Sequence, residues 1–214
     1  MALSKESTTR PRGRPEAALS RDVEATILAV AEQRFAEQGY AATSMREIAS
    51  QANVNPAMIH YYFGNKESLL RTVLERALSP LAAAIESMQS ADQVSPGEIL
   101  KTLMGTIASH PSLPYLVMRE VMLPGGVMQA HFAEHLAPRL GGALPGLLER
   151  EARDGRMRRD VPPQVAALTI MSLAIFPFVV RPVAERVLNV RLEGEALEVM
   201  KSQISEVVNK GLMP

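Results

Sequence analysis

The sequence predicts an all-α protein of about nine helices. Three observations carry this. Apolar residues recur every third or fourth position over most of the chain, the spacing of one helix face. Residues that start and stop helices flank those stretches, with Ser, Thr or Asn before them and Gly or Pro after. No run of alternating apolar and polar residues, the mark of a half-buried strand, appears anywhere, and there is no internal repeat.

Residues 1–20 are rich in Ser, Thr, Pro, Gly and Arg and read as a flexible basic arm. Through position 21, Lys5, Arg10, Arg12, Arg14 and Arg21 face only Glu6 and Glu16. From Arg21 to Gln38 the residues Val23, Ile27, Ala31 and Phe35 repeat every fourth position, and Gly39 stands where a helix stop belongs. Thr43 and Ser44 offer N-caps, and Ser44 with Glu47 fits a capping box. Met45–Gln51 should turn Met45, Ile48 and Ala49 inward. Asn53-Val54-Asn55 makes a turn; Asn55 caps the next helix and Pro56 fits its first position, where a missing N–H is harmless. That helix, Pro56–Tyr62, is barely two turns long and ends at Gly64. Asn65 caps a helix running from Lys66 toward Met88.

Helices at Pro96–Ser109 and Leu113–Leu123 follow. Val127–Asp154 carries Pro138 and Pro145, which predict a break or kink. After a charged connection, Pro162–Leu188 forms a largely apolar helix disturbed near Pro177 and Pro182. Gly194–Leu212 closes the chain with Leu197, Met200, Ile204 and Val207/Val208 at helical spacing.

Composition narrows the function. The chain has 214 residues, 47% of them apolar, enough for one large domain or two modest ones. A formal charge of zero argues neither for nor against nucleic acid. With no cysteine, disulfides, thiolate metal sites and cysteine nucleophiles are excluded. The first residues lack the apolar segment of a signal peptide. The longest apolar run, Val165–Val180, is interrupted by Thr169, Ser172 and Pro177 and is short for a membrane span, so a cytoplasmic protein without a membrane partner is expected. There is no G-x-S-x-G, phosphate-binding glycine loop or H-E-x-x-H. No enzymatic activity, catalytic residue or cofactor is expected. His131 and His135 stand four apart with Glu134 nearby, but zinc wants three or four ligands, so no metal is expected either.

The segment from Thr43 to Leu70, two short helices around a tight turn and the capped start of a third, has the grammar of a helix-turn-helix. Pro56–Tyr62 would enter the major groove, which is wide enough for a helix. Met58 or Ile59, with Phe63, would face the core. Asn55, Ala57, His60 and Tyr61 would face outward: Asn and His bond base edges, and Ala touches a thymine methyl. Tyrosine hydroxyls suit phosphates, which position a protein without reading sequence. Thr43 and Lys66 sit at helix starts, where free N–H groups and the dipole favour an anion. On spacing alone a second reading stands beside this one, since short capped helices also occur in proteins that never meet DNA and tyrosines often plug a core.

The residues Gly39-Tyr40, Thr43, Arg46-Glu47-Ile48-Ala49, Ala52-Asn53-Val54, Tyr61-Tyr62-Phe63 and Asn65-Lys66-Glu67-x-Leu69-Leu70 together resemble the N-terminal signature of TetR-family transcriptional regulators. The match covers residues 22–70. It implies a helix-turn-helix DNA-binding domain over 21–70 and a larger helical ligand-binding and dimerisation domain over 71–214. It implies a homodimer on a palindromic double-stranded DNA operator, probed by a small effector that releases it, hence a repressor. It implies phosphate contacts for Thr43, Tyr61 and Lys66, and base contacts for Asn55, Ala57 and His60. The usual Tyr-His-Phe ending is Tyr61-Tyr62-Phe63 here. The alternative is an architectural or constitutive DNA-binding protein without small-molecule control. In the arm, Arg10-Pro-Arg12-Gly13-Arg14-Pro15 resembles an AT-hook core, which would lay Arg12 and Arg14 in a narrow minor groove; a solubilising tail is the competing reading.

For the larger domain, Leu168, Met171, Ile175, Leu197, Met200 and Ile204 are the expected dimer interface. The expected lining of a largely apolar effector pocket is Met104, Tyr115, Met118, Arg119, Met122, Met128, Phe132, Met171 and Phe176, because methionine adapts to varied apolar shapes.

Overall fold

A computed structural model describes residues 16–214, with side chains from Asp22 onward; Arg12 and Arg14 lie outside the described residues. All regular structure among the described residues is helical. Helix α1 (Glu16–Gln38) begins five residues earlier than the spacing predicts, inside the stretch read as an arm. Glu16-Ala17-Ala18-Leu19 are strong helix formers directly after Pro15, and local propensity extends the helix backwards.

Next come α2 (Met45–Gln51), α3 (Pro56–Phe63) and α4 (Lys66–Gln89). Their starts are fixed by side chains. Ser44 Oγ accepts from the Glu47 amide, Asn55 Oδ1 from Ala57 and Asn65 Oδ1 from Ser68. Between α2 and α3 the chain turns at Asn53, whose φ of 53° is left-handed, a region asparagine tolerates better than most residues. Ile27, Ala31 and Phe35 of α1 close over Ile48, Ala49, Ile59, Phe63 and Leu69 to form the core of this head.

Helix α4 runs out of the head into the body, carrying Pro80 within it. There α5 (Pro96–Ala108) starts with a complete capping box between Ser95 and Glu98. It packs against α10 (Pro163–Val179) and α12 (Gly194–Leu212). The approach of α5 to α12 is close. The Gly97 amide donates to Asn209 Oδ1 at 2.8 Å, and a Cβ at Gly97 would lie 2.7 Å from Asn209 Nδ2 and overlap the Ser205 hydroxyl.

The stretches between these helices are less regular than predicted. Helix α6 (Leu113–Val117) runs directly into a π-helical turn, Met118–Met122. The expected long helix after Val127 is divided into α7 (Gln129–His131), a second π-helical turn (Phe132–Leu136), α8 (Ala137–Leu140) and α9 (Leu144–Arg153). Pro138 and Pro145 stand in the first turns of α8 and α9, where proline is tolerated, so they open new helices and do not kink one. Likewise the predicted helix Pro162–Leu188 is two helices. Pro177 stays inside α10, and the chain bends by 74° before α11 (Arg181–Val187), which has Pro182 in its first turn. Among the described residues no single helix is long and apolar enough to cross a membrane.

Candidate DNA interface and ligand cavity

Helix α3 buries Ile59 and Phe63 and half-buries Met58, which leaves Asn55, Ala57, His60 and Tyr61 on one exposed face. Tyr61 is 83% exposed and meets Tyr62 edge-on at 5.3 Å. Two of the polar groups are already half committed. Asn55 Oδ1 is used as the cap, so its amide NH₂ is what it can offer outward. His60 Nδ1 lies 2.8 Å from the Gly64 carbonyl, which can only accept; in the neutral ring Nδ1 therefore carries the proton and Nε2 is an acceptor. The face thus pairs a donor at Asn55 with an acceptor at His60.

The helix starts around α3 depart from expectation. Thr43 is 1% exposed, and its hydroxyl donates inward to the Gly39 carbonyl at 2.8 Å; Ser44 is the cap of α2 and is exposed in its place. The Lys66 ammonium is half-buried. It donates to the carbonyls of Tyr40 (2.7 Å) and Thr43 (2.9 Å) and stands 4.2 Å from the Tyr40 ring centroid, leaving one of its three donors. Arg46, on the exposed side of the first turn of α2, has no hydrogen bond or ion pair among the described residues. The sequence reading includes it in a signature but does not name it as a candidate contact. A cation two residues after a cap was the available signal.

The Tyr40 peptide also ties the head to the body. Its N–H donates at 2.8 Å to Oε1 of Glu120, a residue eighty positions away and 4% exposed. Glu120 lies in the first π-helical turn, between Met118 and Met122. Burial, followed by the charges of Glu67 and Glu120, raises the Tyr40 pKa and keeps the phenol neutral. Beside it the Arg119 guanidinium donates to the Ala36 carbonyl at the end of α1.

Met118 and Met122 face the main cavity of the body, which has a volume of about 510 Å³. Leu78 and Leu81 of α4 form one wall, Pro114, Val117 and Met118 a second, and Phe132, Ala137 and Leu140 a third. A stripe along α10, Gln164, Leu168, Met171, Ile175 and Val179, closes it. Of the expected lining residues the structure brings Met118, Met122, Phe132 and Met171 together here. The other five lie elsewhere. Met104 and Met128 are buried in the core, Tyr115 faces α1 across a groove with Glu32 and Gln33, Arg119 reaches Ala36, and Phe176 is 62% exposed on the outer side of α10. Tyr115 of α6 and Arg119 of the π-helical turn that continues it both point toward α1, away from the cavity.

Of the residues expected at a dimer interface, Leu168, Met171 and Ile175 line the cavity, with Leu168 also 66% exposed, Leu197 is buried, and Met200 and Ile204 are half-buried against the core. The exposed large apolar side chains of these helices are Val165, Leu168, Leu173 and Phe176 of α10, Val183 and Val187 of α11, and Val199 and Val207 of α12. His131 and His135 stack at 4.8 Å, His131 Nε2 sits 3.0 Å from Glu75, and no group able to hold a metal occurs among the described residues.

A helix-turn-helix head whose reading helix is exposed, continued by one long helix into an all-helical body with an apolar cavity, defines a DNA-binding regulator of the helical two-part class. The chain belongs to the TetR family: residues 27–73 match the model for bacterial regulatory proteins of the tetR family, and residues 97–208 match a tetracyclin repressor-like C-terminal domain. The HTH-type transcriptional repressor SCO4008 of Streptomyces coelicolor is 31% identical over 165 residues, 73% of this chain and 78% of that protein. The HTH-type transcriptional repressor NicS of Pseudomonas putida is 29% identical over 157 residues, 70% of this chain and 73% of that one. The fold is shared with the transcriptional regulator FadR of Bacillus subtilis, solved in complex with stearoyl-CoA, at a TM-score of 0.69 and 18% identity, over 87% of this chain and 98% of FadR. The chain is a DNA-binding transcriptional regulator of this family.

Proposed function

We propose that the protein is a repressor that acts as a homodimer on a palindromic operator and releases it when a small, largely apolar effector fills the cavity. The observation that carries this reading is the placement of the cavity. One wall is α4, whose first residue, Lys66, directly follows the reading helix and its cap. Another is the π-helical turn whose Glu120 holds the Tyr40 peptide. An occupant that favours one arrangement of these walls shifts the spacing of the two reading heads, by no more than its differential affinity for the two states.

A single helix of two turns reaches few bases, and two copies one helical turn of DNA apart read a palindrome. The exposed apolar residues of α10 and α12, Val165, Phe176, Val199 and Val207, supply the self-complementary face such a pair needs. Base reading falls to Asn55, Ala57 and His60. Phosphate positioning falls to Tyr61, Arg46 and the remaining donor of Lys66, and Arg12 and Arg14 of the arm extend the contact into the minor groove. Both relatives named above are repressors. The B. subtilis FadR structure, which shares this fold, holds stearoyl-CoA, a ligand with a long apolar chain.

The test is a binding assay of the full chain on the DNA upstream of its own gene and its neighbours, with and without a library of apolar compounds. Sequence-selective binding that a compound abolishes supports the reading. Binding that no cavity ligand alters favours the architectural alternative.

A further inference from the structure

We infer that the cavity accepts only uncharged ligands, and that Gln164 at its rim is the residue that orients them. The inference rests on the reading of the cavity as the effector site. None of the residues lining it is Asp, Glu, Lys, Arg or His. Basic side chains on or beside the elements that form it have partners elsewhere. Arg119 donates to Ala36, His131 faces Glu75 and stacks on His135, Arg139 pairs with Glu86 at 3.0 Å, and His110 Nδ1 meets the Thr106 carbonyl at 3.0 Å.

The backbone offers little in their place. A helix start is the usual place for an anion, because its first N–H groups are free. Four helices begin along this cavity. Three of them, α6, α8 and α9, place a proline from the first turn in the wall, Pro114, Pro138 and Pro145, and α10 starts on Pro163 beside Gln164. Each of these prolines removes one of the free N–H groups. A carboxylate or phosphate inside the cavity would therefore lose its hydration without gaining a cation, with the Gln164 amide as its one side-chain donor, a loss that ordinarily forces the group to neutralise or stay out.

The one polar side chain in the lining is Gln164. It sits at the exposed end of the α10 stripe and makes no hydrogen bond among the described residues. Its amide has a donor and an acceptor, which suits an alcohol, ketone, ester or amide on an otherwise apolar molecule. The ligand class is thus a neutral hydrophobe with one hydrogen-bonding group at the end that reaches the rim.

The experiment uses the full-length protein and the neutral dye Nile red as reporter, competed by octan-1-ol, octanoate and propylbenzene. Filling the cavity by Met171→Trp should abolish dye binding. If wild type binds no dye, or if the Trp variant binds it equally, the effector reading of the cavity falls. Where the dye does report on the cavity, octan-1-ol should displace it at a concentration at least about tenfold below that of octanoate at about pH 8, where the acid is ionised. The gap should narrow at about pH 5 as the carboxyl protonates. Equal displacement by the two at the higher pH overturns the inference while leaving the effector reading intact. Gln164→Leu should weaken octan-1-ol about fivefold, in line with one lost hydrogen bond, and leave propylbenzene unchanged. Parallel changes for both compounds remove Gln164 from the orienting role.

Discussion

Lys66 joins two functions on one ammonium. Two of its donors hold the carbonyls of Tyr40 and Thr43 and so fix the turn between α1 and α2 against the start of α4. The third is free for the phosphate contact proposed above. Lys66→Ala should therefore weaken binding on every DNA sequence and reduce the salt slope by about one unit, and it should also lower the thermal midpoint of the free protein. Loss of DNA affinity with an unchanged midpoint would contradict the structural half of this account. His60 predicts a different pattern. With Nε2 as acceptor it suits the amino group of adenine or cytosine, so His60→Ala should change the ranking of operators by about 1–3 kcal/mol at one base pair. Glu120 is the third case. Glu120→Leu strands the Tyr40 N–H, whereas Glu120→Gln keeps an acceptor in place. The Leu variant should need more effector to leave DNA while its effector affinity stays the same, and the Gln variant should behave like wild type; titrations of DNA release and of effector binding separate the two quantities.

At the scale of elements, the head was legible in the sequence because local chemistry specifies it. Ser44, Asn55 and Asn65 each satisfy an amide two or three residues away, and the left-handed turn falls on an asparagine. Nothing distant decides where these helices start. The body was legible only in part. Helix α10 is apolar on all sides, so its sequence cannot say which stripe meets α5, which meets a void and which meets solvent. That is why Leu168, Met171 and Ile175 were expected at an interface and line a cavity. The π-helical turns were invisible for a related reason, since no residue type marks them and packing decides them. The close crossing of α5 and α12 has a marker in the sequence, Gly97, one residue after the proline that starts α5. Gly97→Val should push α12 away and lower the thermal midpoint more than Gly146→Val, whose Cβ position meets nothing within 4 Å; parallel melts of the two variants check it.

At the scale of the whole molecule, α10, α11 and α12 each leave apolar side chains exposed, among them Val165, Phe176, Val183, Val199 and Val207. Sedimentation should find a dimer for the wild type and a folded monomer for Phe176→Glu combined with Val199→Lys, with helical circular dichroism retained in both. The monomer should lose operator affinity steeply, because one head retains only half of the contacts. A dimer that survives both charges would place the pairing surface elsewhere.

Helix α10 sets one more constraint on the molecule. Gln164, Leu168, Met171 and Ile175 line the cavity, while Val165, Thr169, Ser172 and Phe176, each one residue further along the helix, face outward. Leu168 borders both, lining the cavity while 66% exposed. On the proposed function, a duplicated copy of this gene that drifts toward a new effector through Leu168 would also alter its affinity for its own siblings. A substitution at that one position would change what such a paralogue senses and insulate it from mixed pairing with its parent.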